Sequence, residues 1–307
     1  MLKIELSLPK LFFGNNFDEL QYKDFTALVS KLQKVLSVMG VQTTIEALAQ
    51  APVSAIHYSK NIPLTDGSTP YCYIQKIREA NVKQALDINI RDYRNEGHFP
   101  SFKWHCNAYE VLFYDKIKDL EKSKQSSKRA IEKDSTLQLH LFEKFQTRNK
   151  FEVLRMEVRL NKRQKIKQLF STLDIKTELT FKKLFKPGIS KKILLYYLDE
   201  IANRRPILLD FKKTSLKSLI AALITNNPRL SLARLFRLLG LKYALDSATW
   251  RELQNMIPKY GSRSWYYLMA DMKNVTLPSV DHSLGFLRNS LLKLRCLNFS
   301  SFVKEKR

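Results

Sequence analysis

Cysteine, histidine and acid are all scarce in this chain, and long apolar runs are missing. The three cysteines, Cys72, Cys106 and Cys296, stand far apart in 307 residues, so neither a disulfide framework nor a zinc-ligand spacing can be drawn through them. A reducing, cytoplasmic setting is therefore expected, with each thiol a packing residue. No apolar stretch approaches the roughly 20 residues that a spanning helix needs, and the opening MLKIELSLPK lacks the make-up of a secretion signal. A membrane partner is not expected. Histidines number five, His57, His98, His105, His140 and His282, and no two form a His-x-His pair. Acid is short in proportion: 29 Asp and Glu face 53 Lys and Arg, a net charge of +24 and a pI near 9.9. That imbalance is the electrostatic footprint of a nucleic-acid binder. With 44% hydrophobic and 11% aromatic residues the chain reads as globular and not as a disordered polycation.

The length suggests two domains, and the pattern divides them at residues 1–175 and 176–307. In the first, Lys3 to Leu8 alternates as a strand does, and Gly14-Asn15-Asn16 breaks it. Between Tyr22 and Met39 the apolar residues follow the 3.6-residue period of a helix, with Gly40 placed to cap it. Strands are expected over 53–59, 71–77 and 87–91, with a short helix over 79–86. This half is predicted to be α+β, helices laid on a mostly antiparallel sheet. From Lys116 to Gln168 the chain is dense in charge, 16 basic against 7 acidic residues, and supplies Lys118, Lys162 and Arg163 as candidate DNA contacts. Beyond Thr177 only helical periodicity is found, so the second half is predicted to be all-helical. There Leu230, Ala233, Leu235, Phe236, Leu238 and Leu239 suggest a buried helix carrying Arg229, Arg234 and Arg237, followed by Gly240. A helix over 250–256 and another beginning near Ser262 outline a helix-turn-helix, with Arg263 and Trp265 near the start of the element that would enter a DNA groove.

Chemistry is suggested by two strands. In Tyr109-Glu110-Val111-Leu112-Phe113-Tyr114-Asp115-Lys116, the alternation of strand side chains puts Val111 and Phe113 on one face and Glu110, Tyr114 and Lys116 on the other. In Leu154-Arg155-Met156-Glu157-Val158-Arg159-Leu160, it separates an apolar face from Arg155, Glu157 and Arg159. If the polar faces meet, a phenol, a carboxylate, an ammonium and two guanidinium groups surround one point, where a phosphodiester and a divalent cation could sit. A phenol with its pKa of about 10 needs less activation than a serine hydroxyl, and its phosphate ester is reactive enough to be reversed. Tyr58 and Tyr109 take the place of Tyr114 if the register slips by one, since such a slip exchanges the faces. His57 and His105 are the candidate imidazole ligands. A noncatalytic DNA-binding regulator fits the charge as well, and an RNA binder is suggested by Tyr71 and Tyr73 on one strand face.

At these residues the chain resembles the replication initiators of filamentous phages, the gene-two family. More distantly it is similar to plasmid rolling-circle initiators and relaxases of the transposition-type Rep group, although the His-x-His signature usual in rolling-circle nucleases is missing. The segment Leu112 to Leu120 looks like the family's Tyr-x-Lys-x-x-Glu/Asp motif, Leu154 to Leu160 like its Arg-Phe-Glu strand, and Ala55-Ile56-His57-Tyr58 like its Arg-Ile-Asp strand, with His57 where Asp is usual. The region 231–273, with Ser264-Trp265-Tyr266, is similar to the phage protein's C-terminal part. The resemblance implies a Rep-like nuclease fold and an enzyme that nicks and rejoins one strand of supercoiled or single-stranded origin DNA. In that reading Tyr114 is the nucleophile that stays joined to the 5′ phosphate, Lys116 neutralises the phosphate, and Glu157 and His57 hold Mg²⁺ or Mn²⁺. Arg155 and Arg159 contact the DNA, and a host helicase and DNA polymerase are the implied partners.

Overall fold

The computed structural model describes residues 2–78, 80, 90–94, 101–125, 152–204, 216–247, 253, 256, 262–273, 275–277 and 284–298. Its centre is a five-stranded antiparallel sheet built from β1 (Ile56–Pro63), β2 (Ile90–Arg94), β3 (Ser101–His105), β4 (Tyr109–Asp115) and β5 (Val153–Leu160), in the order β1-β5-β4-β3-β2. The α+β expectation therefore holds at the level of class. One sheet face carries Tyr58, Ile62, Phe102, Trp104, Tyr109, Val111, Phe113, Leu154, Met156, Val158 and Leu160, all buried. Each such side chain contributes about 1.5–3 kcal/mol when fully removed from water. Three helices cover this face: α6 (Arg163–Thr172), α7 (Phe181–Leu184) and α8 (Pro187–Asn203). Tyr197 of α8 packs its ring 5.5 Å from that of Tyr109, and Tyr58 donates its hydroxyl to the Leu184 carbonyl at 3.0 Å. Tyr58 and Tyr109 thus belong to the core face, so the register that gives the polar face to Tyr114 is the one adopted.

The remaining helices are α1 (Leu8–Phe13), α2 (Phe25–Val38), α3 (Ile45–Ala49), α4 (Pro70–Arg78), α5 (Lys116–Gln125), α9 (Leu216–Asn226), α10 (Leu232–Ser247), α11 (Ser262–Lys273) and α12 (Gly285–Lys293). Sequence and structure differ at several of them. Residues 3–8 form no strand: Pro9 sits in the first turn of α1, and Gly14, at φ 73°, closes it where a Cβ would be strained. The expected strand over 71–77 is helix α4. Its buried residues Tyr73, Ile74 and Ile77 recur at helical spacing, while Tyr71 is exposed, so the shared aromatic strand face behind the RNA-binding reading does not exist. The strand expected over 53–59 begins at Ile56, the one expected over 87–91 at Ile90, and β3 was not anticipated. Helix α10 runs through Gly240, with Phe236 and Ala233 exposed and not buried. The helix expected over 79–86 and most of that over 250–256 fall outside the described residues.

The chain forms two compact units, one of residues 1–74, 87–198 and 287–307 and one of residues 75–86 and 199–286. This division is not the single cut after residue 175 suggested by the sequence, because described residues 176–198 and 287–298 fall in the unit that holds the sheet. In the second unit α9, α10 and α11 enclose a core that includes Leu219, Leu223, Leu235, Leu238, Leu245 and Met272. Its described elements are all helices.

Candidate functional site

The second face of the sheet is polar, and the strand pairing arranges it in lateral rows. Asn61, Arg155, Tyr114 and Ser101 form one row across β1, β5, β4 and β3. Ser59, Glu157, Leu112 and Lys103 form the next, and His57, Arg159, Glu110 and His105 the third. Paired residues on antiparallel strands point to the same side with Cβ atoms about 5 Å apart, so period-two alternation in four separate segments becomes one surface. Within it Tyr114 Oη donates to Glu157 Oε1 at 2.7 Å. Arg155 Nε makes an ion pair with the same oxygen at 2.9 Å. Arg159 donates to Glu157 Oε2 from Nε at 3.1 Å and from Nη2 at 2.8 Å, and reaches Glu110 at 3.4 Å. The Tyr114 and Glu157 strands therefore converge as their pattern implied.

Lys116 joins them from outside the sheet. It is the first residue of α5, not the last of a strand; Asp115 caps that helix, its carboxylate accepting from the Lys118 backbone N–H at 3.0 Å. The Lys116 ammonium is fully buried, donates to Asp119 at 2.9 Å and to the Asn16 side chain at 3.1 Å, and lies 5.8 Å from the centre of the Tyr114 ring. The Asn16 carbonyl accepts in turn from Arg155 Nη1 at 2.5 Å, while Arg155 Nη2 donates to Ser59 at 2.8 Å. The loop after α1 is thus tied by one residue to both cations beside the phenol. Asn16, Ser59 and Asn61 were not anticipated as site residues, and Glu110, placed on the polar face, and Asp119, within the motif, were given no role. The Asp119 spacing from Lys116 is visible in the motif, and a Gly-Asn-Asn loop marks a turn, but no periodicity carries a loop back to a sheet.

Burial sets the ionisation of this cluster. It lifts the Tyr114 phenol well above its ordinary value; Arg155 opposes that rise and Glu157 adds to it. Burial would also raise Glu157, but Arg155, Arg159 and the Tyr114 hydrogen bond outweigh it and hold the carboxyl at about 2. Lys116 is lowered to about 8, first by burial and then by Arg155, with Asp119 acting the other way. Three cations (Arg155, Arg159, Lys116) meet three carboxylates (Glu157, Glu110, Asp119). The cluster is locally balanced, and any phosphate that enters it competes with carboxylates for the guanidinium groups.

His57 and Glu157 do not fit a shared cation as they stand. Glu157 accepts one hydrogen bond from Tyr114 and two from Arg159 and lies 2.9 Å from Arg155 Nε, and the two guanidinium charges oppose a third positive charge. His57 is exposed, contacts the Asn161 side chain at 3.3 Å, and pairs across the strands with Arg159 and not with Glu157. Four residues along the strands and two strands across separate it from Tyr114, roughly 17 Å by strand geometry. His105 lies in its row beyond Glu110. Among the described residues no group of three or more His, Cys, Asp and Glu is spaced to hold a metal ion. Lys118 lies beside the Tyr114 end of β4, half exposed and 4.0 Å from Asp115, while exposed Lys162 and Arg163 follow the Arg159 end of β5. Arg263 is exposed on α11 in the second unit, and of Trp265 only its place in that helix lies among the described features.

No protein-family model, curated protein or solved structure matches this chain.

Proposed function

We propose that this chain is a replication initiator of the rolling-circle type, which cuts and rejoins one DNA strand at a phage or plasmid origin through Tyr114. The observation that carries the reading is the Tyr114 hydroxyl held on an otherwise polar sheet face, 2.7 Å from Glu157 and flanked by Arg155 and Lys116. In the reaction Tyr114 Oη forms a bond to phosphorus as the bond to the 3′ oxygen breaks. The phenol proton passes to Glu157, the acceptor already in contact with it, and from there through solvent to the departing 3′ oxygen. Near pH 7 a carboxylate held at about 2 is a weak base. A phosphate that draws Arg155 and Arg159 toward itself removes the charges responsible and raises that basicity at the moment it is needed. The reverse attack by a 3′ hydroxyl reseals the strand. No step is routed through a divalent cation, and Mg²⁺ or Mn²⁺ enters as a variable of the assay.

The test uses negatively supercoiled plasmid carrying the coding region with its flanks, incubated with Mg²⁺, Mn²⁺ or chelator. Nicked circles and a protein–DNA adduct resistant to denaturant are expected from the native chain, and neither from Tyr114→Phe. Nicking and adduct formation by the variant sink the assignment. The phenol raised by burial and already paired with Glu157 favours a second reading, a noncatalytic DNA-binding regulator whose sheet-face network is structural. That reading expects DNA affinity without scission by the native chain under any cation.

A further inference from the structure

Helix α11 presents its two faces to different surroundings. Met272 is buried and Leu268 packs against the core of the second unit, while Tyr266 and Tyr267 are 68% and 60% exposed. Their rings meet edge to face at 6.3 Å, and exposed Arg263 precedes them by three and four positions, the spacing that makes helix side chains surface neighbours. The acid of this helix, Asp271, is turned toward α10, where it pairs with Arg234 Nε at 2.9 Å and Arg237 Nη2 at 2.8 Å. Across α9, α10 and α11 the sequence holds six Lys and Arg (Lys217, Arg234, Arg237, Lys242, Arg263, Lys273) against two Asp. Two large rings left in water beside an exposed arginine, on a chain of net charge +24, call for a flat, apolar and anionic occupant. A second copy of the chain fits poorly, since it would bring a net charge of +24 against the same sign.

We infer that Arg263, Tyr266 and Tyr267 form a binding patch for single-stranded DNA, in which bases stack on the tyrosine rings while Arg263 contacts the backbone. Stacking needs unpaired bases, because the flat faces of a duplex are taken up by neighbouring pairs. The patch differs in mode from groove reading: it accepts any base and rejects an intact double helix. It rests on the proposed function only in taking DNA as the partner, and it is read by binding instead of cutting.

The full chain carrying Tyr114→Phe, so that scission cannot intervene, is titrated against three fluorescein-labelled 20-mers: oligothymidylate, a strand of the same length made of abasic sites, and a duplex. Stacking is worth roughly 5- to 150-fold in affinity per base. Adding Tyr266→Ala and Tyr267→Ala is expected to weaken oligothymidylate binding at least ~10-fold, with abasic and duplex binding changed little. The corresponding Phe pair, which keeps the rings, is expected to bind as the parent does. Arg263→Ala is expected to reduce the slope of log affinity against log salt by about 0.7 on the single strand. Unchanged oligothymidylate binding by the alanine pair overturns the inference, as does an equal loss on the abasic strand or duplex. A loss confined to an RNA 20-mer overturns the assignment to DNA. If native protein fails to nick while the tyrosine dependence is present, the cutting assignment falls and the patch stands.

Discussion

Glu157 is the residue on which the polar sheet face turns, because among the described residues it is the one that contacts Tyr114, Arg155 and Arg159 together. Removing one partner of a buried ion pair commonly costs about 3–5 kcal/mol, since the remaining charges are left without compensation. Glu157→Gln is therefore expected to lower stability markedly at pH 7, with Arg155 left without its carboxylate and Arg159 with Glu110 alone. The pH dependence has a definite sign. The folded carboxyl sits at about 2 against an ordinary 4.5, so its contribution is complete above 4.5 and is lost as pH falls from there through about 2. Urea midpoints of native and Glu157→Gln protein should differ most at neutral pH and converge across that window. A difference that stays constant down to pH 2 removes Glu157 from the role of charge anchor. The four polar side chains Tyr114, Arg155, Glu157 and Arg159 were legible in the sequence, because a strand forces alternate residues to one side. For His57 alternation was not enough: its strand alternates correctly, but pairing register, which no single strand encodes, sets it opposite Arg159 and two rows from Tyr114.

Among the elements, α4 shows how an apolar cluster is misread. Tyr71, Tyr73, Ile74 and Ile77 satisfy a short strand as well as a helix, and aromatic and β-branched residues favour the strand reading. Pro70 at the first position and the Thr69 side chain accepting from the Cys72 backbone N–H at 3.4 Å favour the helix. The two alternatives assign the tyrosines opposite fates. In a strand Tyr71 and Tyr73 share one environment; in α4 Tyr73 is buried with its hydroxyl donating to Asp66 at 2.5 Å, and Tyr71 is exposed. Tyr73→Ala is expected to cost about 3 kcal/mol or more through the cavity it leaves, and Tyr71→Ala about 0.5 kcal/mol or less. Denaturant titration of the two variants checks this, and equal losses would restore the strand. β3, which extends each lateral row by one residue beyond β4, was not read from sequence. Its five residues, Ser101–His105, alternate polar and apolar and are buried at every second position, so the strand signal was present in the sequence, though short, and pairing with β4 completes it.

For the whole molecule, the surplus of positive charge is a statement about partners and not about the chemistry of the sheet face. A net charge of +24 raises the local concentration of any polyanion, yet the cations nearest Tyr114 are already matched by Glu157, Glu110 and Asp119. Affinity and reaction are therefore expected to depend on different residues. An exposed lysine or arginine that meets a phosphate releases a condensed counterion, and on a single strand each such contact contributes about 0.7 to the slope of log affinity against log salt. Arg159, whose charge is spent on two carboxylates, gains one contact only by giving up another. Lys162 and Arg163 follow β5 at the sheet's end and are exposed, so replacing both with alanine is expected to reduce the slope by about 1.4 on a single-stranded oligonucleotide. Arg159→Ala is expected to change that slope little while abolishing any scission. Fluorescence titrations between about 50 and 300 mM salt, over which the Debye length falls from about 14 to about 6 Å, separate the two. A slope that falls as much for Arg159→Ala as for either exposed residue means that the guanidinium leaves Glu157 already on nonspecific binding, before a scissile phosphate enters the cluster, and that the cluster itself supplies the grip on the backbone.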